Sequence, residues 1–511
     1  MAGAIDLANE LDNLNVVDEN DLILGYSKAG KKFGFVPVSF VTNGGYACRR
    51  WNINNSSSTG ETVGNLDYLR NLPSLLGLGC YLVDKNHGRR KLDPTNHYKF
   101  ATGETAKLDG TMGDYMWGWS TKWYYAWWVE GNYYYEAASL KPIPGRYNYV
   151  IPVASTSALG VAVVDRENNE LVSVVNQSAR YRGGNNDAAK DSTYKTLLGR
   201  AATGLSAETF GSYARKKGEG WEGYWYAHSG IIGALFRIIF GTRNVQSAYN
   251  ANKDSNGLFQ GGLGNGVTGA GAWWSGADGY GTYPFLPTSA GVELADNCGV
   301  SNYAVKGADG STVYTAPIPS FFGLKNFFGY MGRWGRGELI SKKADGSGDM
   351  YIVPRLHSTY SMSSLTGLTK IASFPKAAVA STWEYTKQLS MQNLCHTPTL
   401  TGGTTSTYYA DGFYNDNAVS GLRVPARGGS ADDGGNAGFE YLSVTMVSRR
   451  PLRTTARPSA KQMKTGTLRH SWRSNVALWC LKGAKFSYSV QKHPRHVVPQ
   501  SPGRGCIKID L

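Results

Sequence analysis

Thiols, imidazoles and clustered carboxylates are the side chains that do covalent or metal chemistry, and in this sequence their spacing argues against both. The six cysteines, Cys48, Cys80, Cys298, Cys395, Cys480 and Cys506, form no Cys-x-x-Cys pair and no metal-ligand spacing. They read as buried or free thiols of a reducing cytoplasm. His228 stands beside Ser229 at the start of an apolar helical run, where a helix-start role outweighs that of a catalytic base, and no nucleophile-elbow motif accompanies it. Asp345-Gly346-Ser347-Gly348-Asp349 places short acidic side chains on a Gly-rich turn, a chemistry suited to Ca2+. It lacks the full calcium-loop spacing, so a hairpin turn is the better reading. Neither a metal nor a cofactor is expected. Aromatics are the other concentration: 11 of the 21 residues from Tyr115 to Tyr135. They suit a stacking platform for sugars or bases, but aromatics are also favoured in strands and bury large areas, and packing is the stronger reading.

Several elements must carry these residues. Gly makes up 64 of 511 residues, nearly twice the usual share of about 7%, and points to a loop-rich fold. Leu22, Leu24 and Tyr26, then Phe33 and Phe35, alternate around a Lys-Ala-Gly-Lys-Lys turn and predict a β-hairpin that Pro37 confines or ends. Residues 1–45 have too few apolar side chains for a core of their own, so they read as an attachment or oligomerisation segment, joined by a linker over 46–63. Ser206 predicts the N-cap of a helix over Ala207–Lys217, and a second helix is predicted over Ala227–Phe240, closed by Gly241. Strand-like runs recur near Met350–Val353 and Thr369–Phe374. Two helices beside many short strands predict an α+β domain over 64–447.

Charge is unevenly distributed. Of the net +15, the segment from Ser448 to Leu511 holds 14 Lys and Arg against one acid, Asp510, leaving 39 basic and 37 acidic residues elsewhere. A nucleic-acid partner, which needs a basic face on a folded domain, is therefore not expected. Gly230–Phe240 is too short to span a bilayer and contains Arg237, so no membrane insertion is expected. The acidic N-terminus lacks a signal peptide's features and predicts synthesis in a cytoplasm without standard export.

Two segments resemble a known family. Phe322–Gly337, FGLKNFFGYMGRWGRG, is similar to the Gly-Leu-x-Asn signature of the formylglycine-generating-enzyme branch of C-type-lectin-like folds, with Gly323, Leu324, Asn326, Gly329 and Trp334 near the matching places. Gly421–Val444, GLRVPARGGSADDGGNAGFEYLSV, resembles the Arg-Gly-Gly-Ser ending of that branch, closest to the variable proteins of diversity-generating retroelements in phages and gut bacteria. Arg427, Gly428, Gly429, Ser430, Gly434, Ala437 and Gly438 carry the match. The resemblance implies a C-type-lectin-like α+β domain with large loop insertions. It also implies a ligand surface at Asp432, Asp433, Asn436, Glu440, Tyr441 and Ser443, joined by Tyr409, Asp411, Phe413 and Tyr414. Glycines permit tight turns and fix the backbone, so side chains between them can vary without unfolding it.

The function so implied is a phage tail-fibre receptor-binding protein in the virion. It would bind a bacterial surface protein or glycan and attach to other tail or baseplate proteins through its N-terminus, as a homotrimer. The alternatives are a formylglycine-generating-type or carbohydrate-active enzyme, or a bacterial surface lectin. Gly438 is followed by Phe439, Glu440 and Tyr441, with no cysteine where that enzyme branch needs a thiol, so no catalysis is expected. After Val444 the family pattern gives way to the basic run SRRPLRTTARPSAKQMK. A shifted reading frame accounts for this, since stepping one nucleotide upstream from Lys461–Leu468 permits Thr-Asn-Glu-Asn-Trp-Asn-Ile. A disordered basic extension and a folded strand set are the other two readings.

Overall fold

Helix α1 (Leu66–Leu76), α2 (Ala207–Arg215) and α3 (Tyr226–Phe240) are the α-helices among the residues that the computed structural model describes. Those residues are 22–27, 32–37, 45–249, 284–307, 309–354, 360–379, 382–431, 433–446, 474–475 and 479–481. Nearly everything else regular is strand, 39% against 15% helix, in several sheets. The α+β expectation is thereby corrected: the fold is mainly β. Both expected helices form, but they build no layer of their own. In α3 every residue is buried, as suits a helix apolar nearly all round, and it runs between sheets instead of covering one.

The expected N-terminal hairpin is present. Strands β1 (Leu22–Ser27) and β2 (Lys32–Pro37) pair antiparallel with Tyr26 opposite Phe33, and Pro37 is the last residue of β2. The stretch expected to be a linker instead contributes β3 (Ala47–Asn52), which pairs with β4 (Glu61–Thr62). A seven-stranded sheet includes β5 (Gly79–Val83), flanked by β6 (Arg89–Asp93) and by β8 (Asp114–Trp119), with β7 (Asn96–Phe100) at its edge. The aromatic run supplies β8, β9 (Trp123–Glu130) and β10 (Tyr133–Ser139). Strand β10 joins β9 to β3, and β11 (Tyr149–Ile151) completes that five-stranded sheet. Past them, β12 (Ala154–Ser157) pairs with β8, and β13 (Val163–Asp165) with β14 (Glu170–Val172) make a separate hairpin.

Packing accounts for most of the aromatics. Tyr115, Trp117, Trp119, Trp123, Tyr125 and Tyr134 are buried. Trp117, Trp119 and Trp123 meet edge to face at 6.1 and 5.8 Å, the geometry that aromatic quadrupoles prefer. On the outer face of the sheet, Trp128 lies between the Tyr135 ring at 4.8 Å and the Arg146 guanidinium at 4.4 Å. Arg50 covers Tyr133 at 4.2 Å. These rings are therefore already stacked.

Beyond α3, β15 (Trp221–Glu222) having preceded it, the chain forms a three-stranded sheet of β16 (Gly299–Lys306), β17 (Thr312–Phe321) and β18 (Leu324–Lys325). Asn326 and Gly329 then turn with φ of 48° and 67°, and Trp334 is buried in β19 (Gly332–Trp334). The largest sheet, of ten strands, runs through β20 (Glu338–Lys342), β21 (Gly348–Ile352), β22 (Thr369–Phe374), β23 (Trp383–Ser390), β24 (Thr397–Thr401), β25 (Gly412–Tyr414), β26 (Gly421–Arg427) and β27 (Leu442–Met446). Its end strands β22 and β24 approach each other, so the sheet is nearly a closed barrel, which hides most strand edges. Within 448–511 the structure describes two short strands, β28 (Ser474–Asn475) beside β19 and β29 (Trp479–Leu481) between β12 and β15. The rest of that segment, like the Gly-rich stretch 256–282, lies outside the described residues.

Candidate ligand-binding surface

Strand β26 delivers Arg427 into the interior, where its guanidinium donates to Glu338 in two bonds, at 2.7 and 2.5 Å. Gly428 and Gly429 follow with φ of 83° and 71°. Only glycine tolerates that left-handed pair cheaply, and a Cβ on Gly429 would also meet Ala437 at 2.7 Å. Ser430 donates through its N–H and hydroxyl to Asp433, at 2.5 and 2.9 Å, closing the turn. A 3-10 turn over Gly434–Asn436 comes next, fastened by the Gln246 amide to the carbonyls of Gly434 and Ala437, both at 3.0 Å. Phe439 then stacks on Phe327 at 4.9 Å.

Glu440 sits at the centre of a buried polar network. Arg237, carried into the core by α3, donates to Glu136 at 2.7 and 2.6 Å and also to Glu440. His396 Nδ1 bonds the other Glu440 oxygen, and its Nε2 lies 3.0 Å from the Ser229 hydroxyl. The Glu440 N–H donates to Asp411 at 2.7 Å. Burial alone would raise the Glu440 carboxyl, but His396 and Arg237 hold it down to about 2. Burial, aided by the neighbouring Glu440, pushes the Asp411 carboxyl well above its usual range. Burial and then Arg427 depress His396 below the ordinary histidine value, against the pull of Glu440.

The expected ligand residues divide accordingly. Glu440, Tyr441, Ser443, Tyr409, Asp411, Phe413 and Tyr414 are all buried, which corrects their placement on a ligand surface. Tyr409 lies under the Arg243 guanidinium at 4.9 Å, and burial pushes its phenol to about 12. Phe413 meets Phe374 at 5.7 Å, and Ser443 occupies a mid-sheet position in β27, paired to both β25 and β26. Asp433 and Asn436 are half-buried and reach the surface, whereas Asp432 lies outside the described residues. Two residues that sequence reasoning missed join them. Trp383 and Tyr385, both half-buried, lie on one face of β23. The Tyr385 hydroxyl donates to Asn436 Oδ1 at 2.8 Å, and the Trp383 ring packs on Tyr414 and Tyr441 at 4.9 and 5.2 Å. Aromatic alternation in Thr382-Trp383-Glu384-Tyr385 was the available signal.

A scan of protein-family models finds no match to this chain. A search of curated proteins finds none either.

Ser229, His396 and Glu440 stand in the order of nucleophile, base and orienting acid, but their exposures are 0%, 0% and 1%. A substrate has no path to a serine so enclosed, and the trio acts as internal wiring. The flagged His228 packs edge-on against Trp119 at 4.8 Å, and burial holds it well below the ordinary value. Cys80, His97 and Asp296 bring three donor atoms within 4.8 Å of one another. Lys91 lies 3.2 Å from Asp296, however, and the buried Lys325 ammonium bonds the Tyr115 hydroxyl that His97 also contacts. Two ammonium groups already supply the positive charge a metal would bring, so the donor set fits an ion poorly. In the Asp345–Asp349 turn, Asp345 accepts from Ser347 and Asp349 pairs with Lys370 at 2.9 Å, the pattern of the expected hairpin turn.

Proposed function

We propose that this chain is a receptor-binding protein of the phage tail-fibre kind, acting in the virion and gripping a bacterial surface protein or glycan through Trp383, Tyr385, Asp433 and Asn436. The observation that carries the reading is the division of labour around the Gly-Gly-Ser turn. Arg427 and Glu440 are locked inward in ion pairs, while an aromatic pair, the Asn436 amide and the Asp433 carboxylate stay half-buried at the surface. Rigid aromatics beside small adaptable polar groups are the chemistry of antibody paratopes. The likeness of Gly421–Val444 to retroelement-diversified proteins supports the same reading, as does the enclosure of Ser229, which disfavours a hydrolase. The N-terminal hairpin region would attach the protein to the tail, and assembly as a homotrimer would multiply weak single contacts.

Capture of the purified chain by bacterial cells tests the proposal. Trp383→Ala and Asn436→Ala are each expected to weaken capture by the strain that binds best at least tenfold, with thermal midpoints close to that of the parent. Capture unchanged in both folded variants would reject this surface. Failure of the parent to bind any of a broad set of gut-bacterial strains would reject the function.

A further inference from the structure

A cavity of about 560 Å3 opens where the turn after β5, the loop 110–114, the β13–β14 hairpin, Arg180–Tyr181 and the end of α2 converge. It shares no residue with the Trp383 surface. Its volume falls within the roughly 300–1,000 Å3 typical of small-ligand pockets. Charge lines it, but in balance. Asp114 pairs with Lys217, both side chains buried, and Arg180 donates to Asp165 at 2.9 and 2.7 Å. The remaining charges, Asp84 and Glu170 against Lys85 and Lys216, also cancel. An anion or cation entering here would meet a wall with no net surplus of the opposite sign to neutralise it.

The geometry points to this cavity as a second binding site, for a short neutral oligosaccharide. Sugar hydroxyls both donate and accept, so they can bridge carboxylates on one side and ammonium or guanidinium groups on the other without altering the charge balance. Val172, Val174 and Tyr181 line the same space and offer apolar ground for the C–H face of a sugar ring. The Asn168 amide, itself on the wall, donates to Asp165 at 2.7 Å and steadies that carboxylate.

Saturation-transfer NMR and titration of the full chain with maltotriose, cellotriose and mannotriose, alongside sialic acid and glucosamine oligomers, test the assignment. At least one neutral trisaccharide is expected to bind, and the double variant Lys85→Ala/Glu170→Ala is expected to weaken it tenfold or more. Neither residue belongs to the Asp114–Lys217 or Asp165–Arg180 pairs, so the fold should survive; Tyr181→Ala provides a second variant if it does not. Trp383→Ala should leave this binding unchanged, which separates it from cell capture by the other surface. Binding of charged oligomers alone, no binding of any neutral trisaccharide, or binding indifferent to the folded cavity variants would overturn the assignment.

Discussion

Replacing Arg237 with Met is expected to destabilise the folded chain by about 3–5 kcal/mol, the usual cost of leaving a buried charge without its partner. Here the change strands Glu136 and Glu440 together, both fully enclosed. The effect should depend on pH with a definite sign. In the parent, Glu440 titrates near 2 while its unfolded counterpart titrates near 4.3. Its stabilisation is therefore complete above the unfolded value and is lost as pH falls toward 2. His396 acts in the same direction: it is held below its ordinary value, so stability is lost as pH drops below about 6.5, where the unfolded chain binds the proton first. Without Arg237 the Glu440 carboxyl loses one of the two groups that hold it down, so protonating it as pH falls relieves the fold. The gap between parent and variant should narrow as pH falls from 7.5 to 5 in urea denaturation. A gap that widens, or a cost below about 1 kcal/mol, would mean that water reaches the network.

Glu338→Ala is the second large effect, again about 3–5 kcal/mol. Glu338 and Arg427 are both fully buried, and their two-bond contact ties β20 to the start of the Gly-Gly-Ser turn. Removing the carboxylate leaves the guanidinium with the His396 carbonyl at 3.1 Å as a weaker acceptor. Changing both partners, Glu338→Leu with Arg427→Met, should recover most of the loss, since an apolar pair removes both desolvation costs. A complete urea-melt cycle over the two single variants and the double variant would show it. If the double variant is no more stable than Glu338→Ala, the pair is not the unit that holds this turn.

Some local signals in the sequence were read correctly, and pairings between distant segments were not. The Ser206 N-cap, which accepts from the Thr209 N–H at 3.1 Å, and Gly241, at φ 64°, bound α2 and α3 within a residue or two of expectation. The alternation around Leu22–Pro37 gave the hairpin. Helix α1 escaped because Pro73 lies within it, and an interior proline reads as a helix breaker. The fold class was misread because a 3.6-residue period shows that a helix forms but not whether it builds a layer or threads between sheets. Glu440 shows the deepest limit. The resemblance places this carboxylate on a ligand surface, yet its partners Arg237 and His396 lie 203 and 44 residues away in the chain. Tyr441 and Ser443 are buried beside it, whereas Trp383 and Tyr385 are half-buried.

Hydroxyl-radical footprinting, with and without envelope from a strain that captures the chain, tests the central claim most directly. In the free chain Trp383 and Tyr385 should oxidise readily while Tyr409, Phe413 and Tyr441 resist. Adding envelope should protect Trp383 and Tyr385 and leave the exposed Tyr98 and Tyr147 unchanged. Ready oxidation of Tyr441 and Phe413 in the free chain, or protection that falls on Tyr98 or Tyr147 and spares Trp383, would contradict the account.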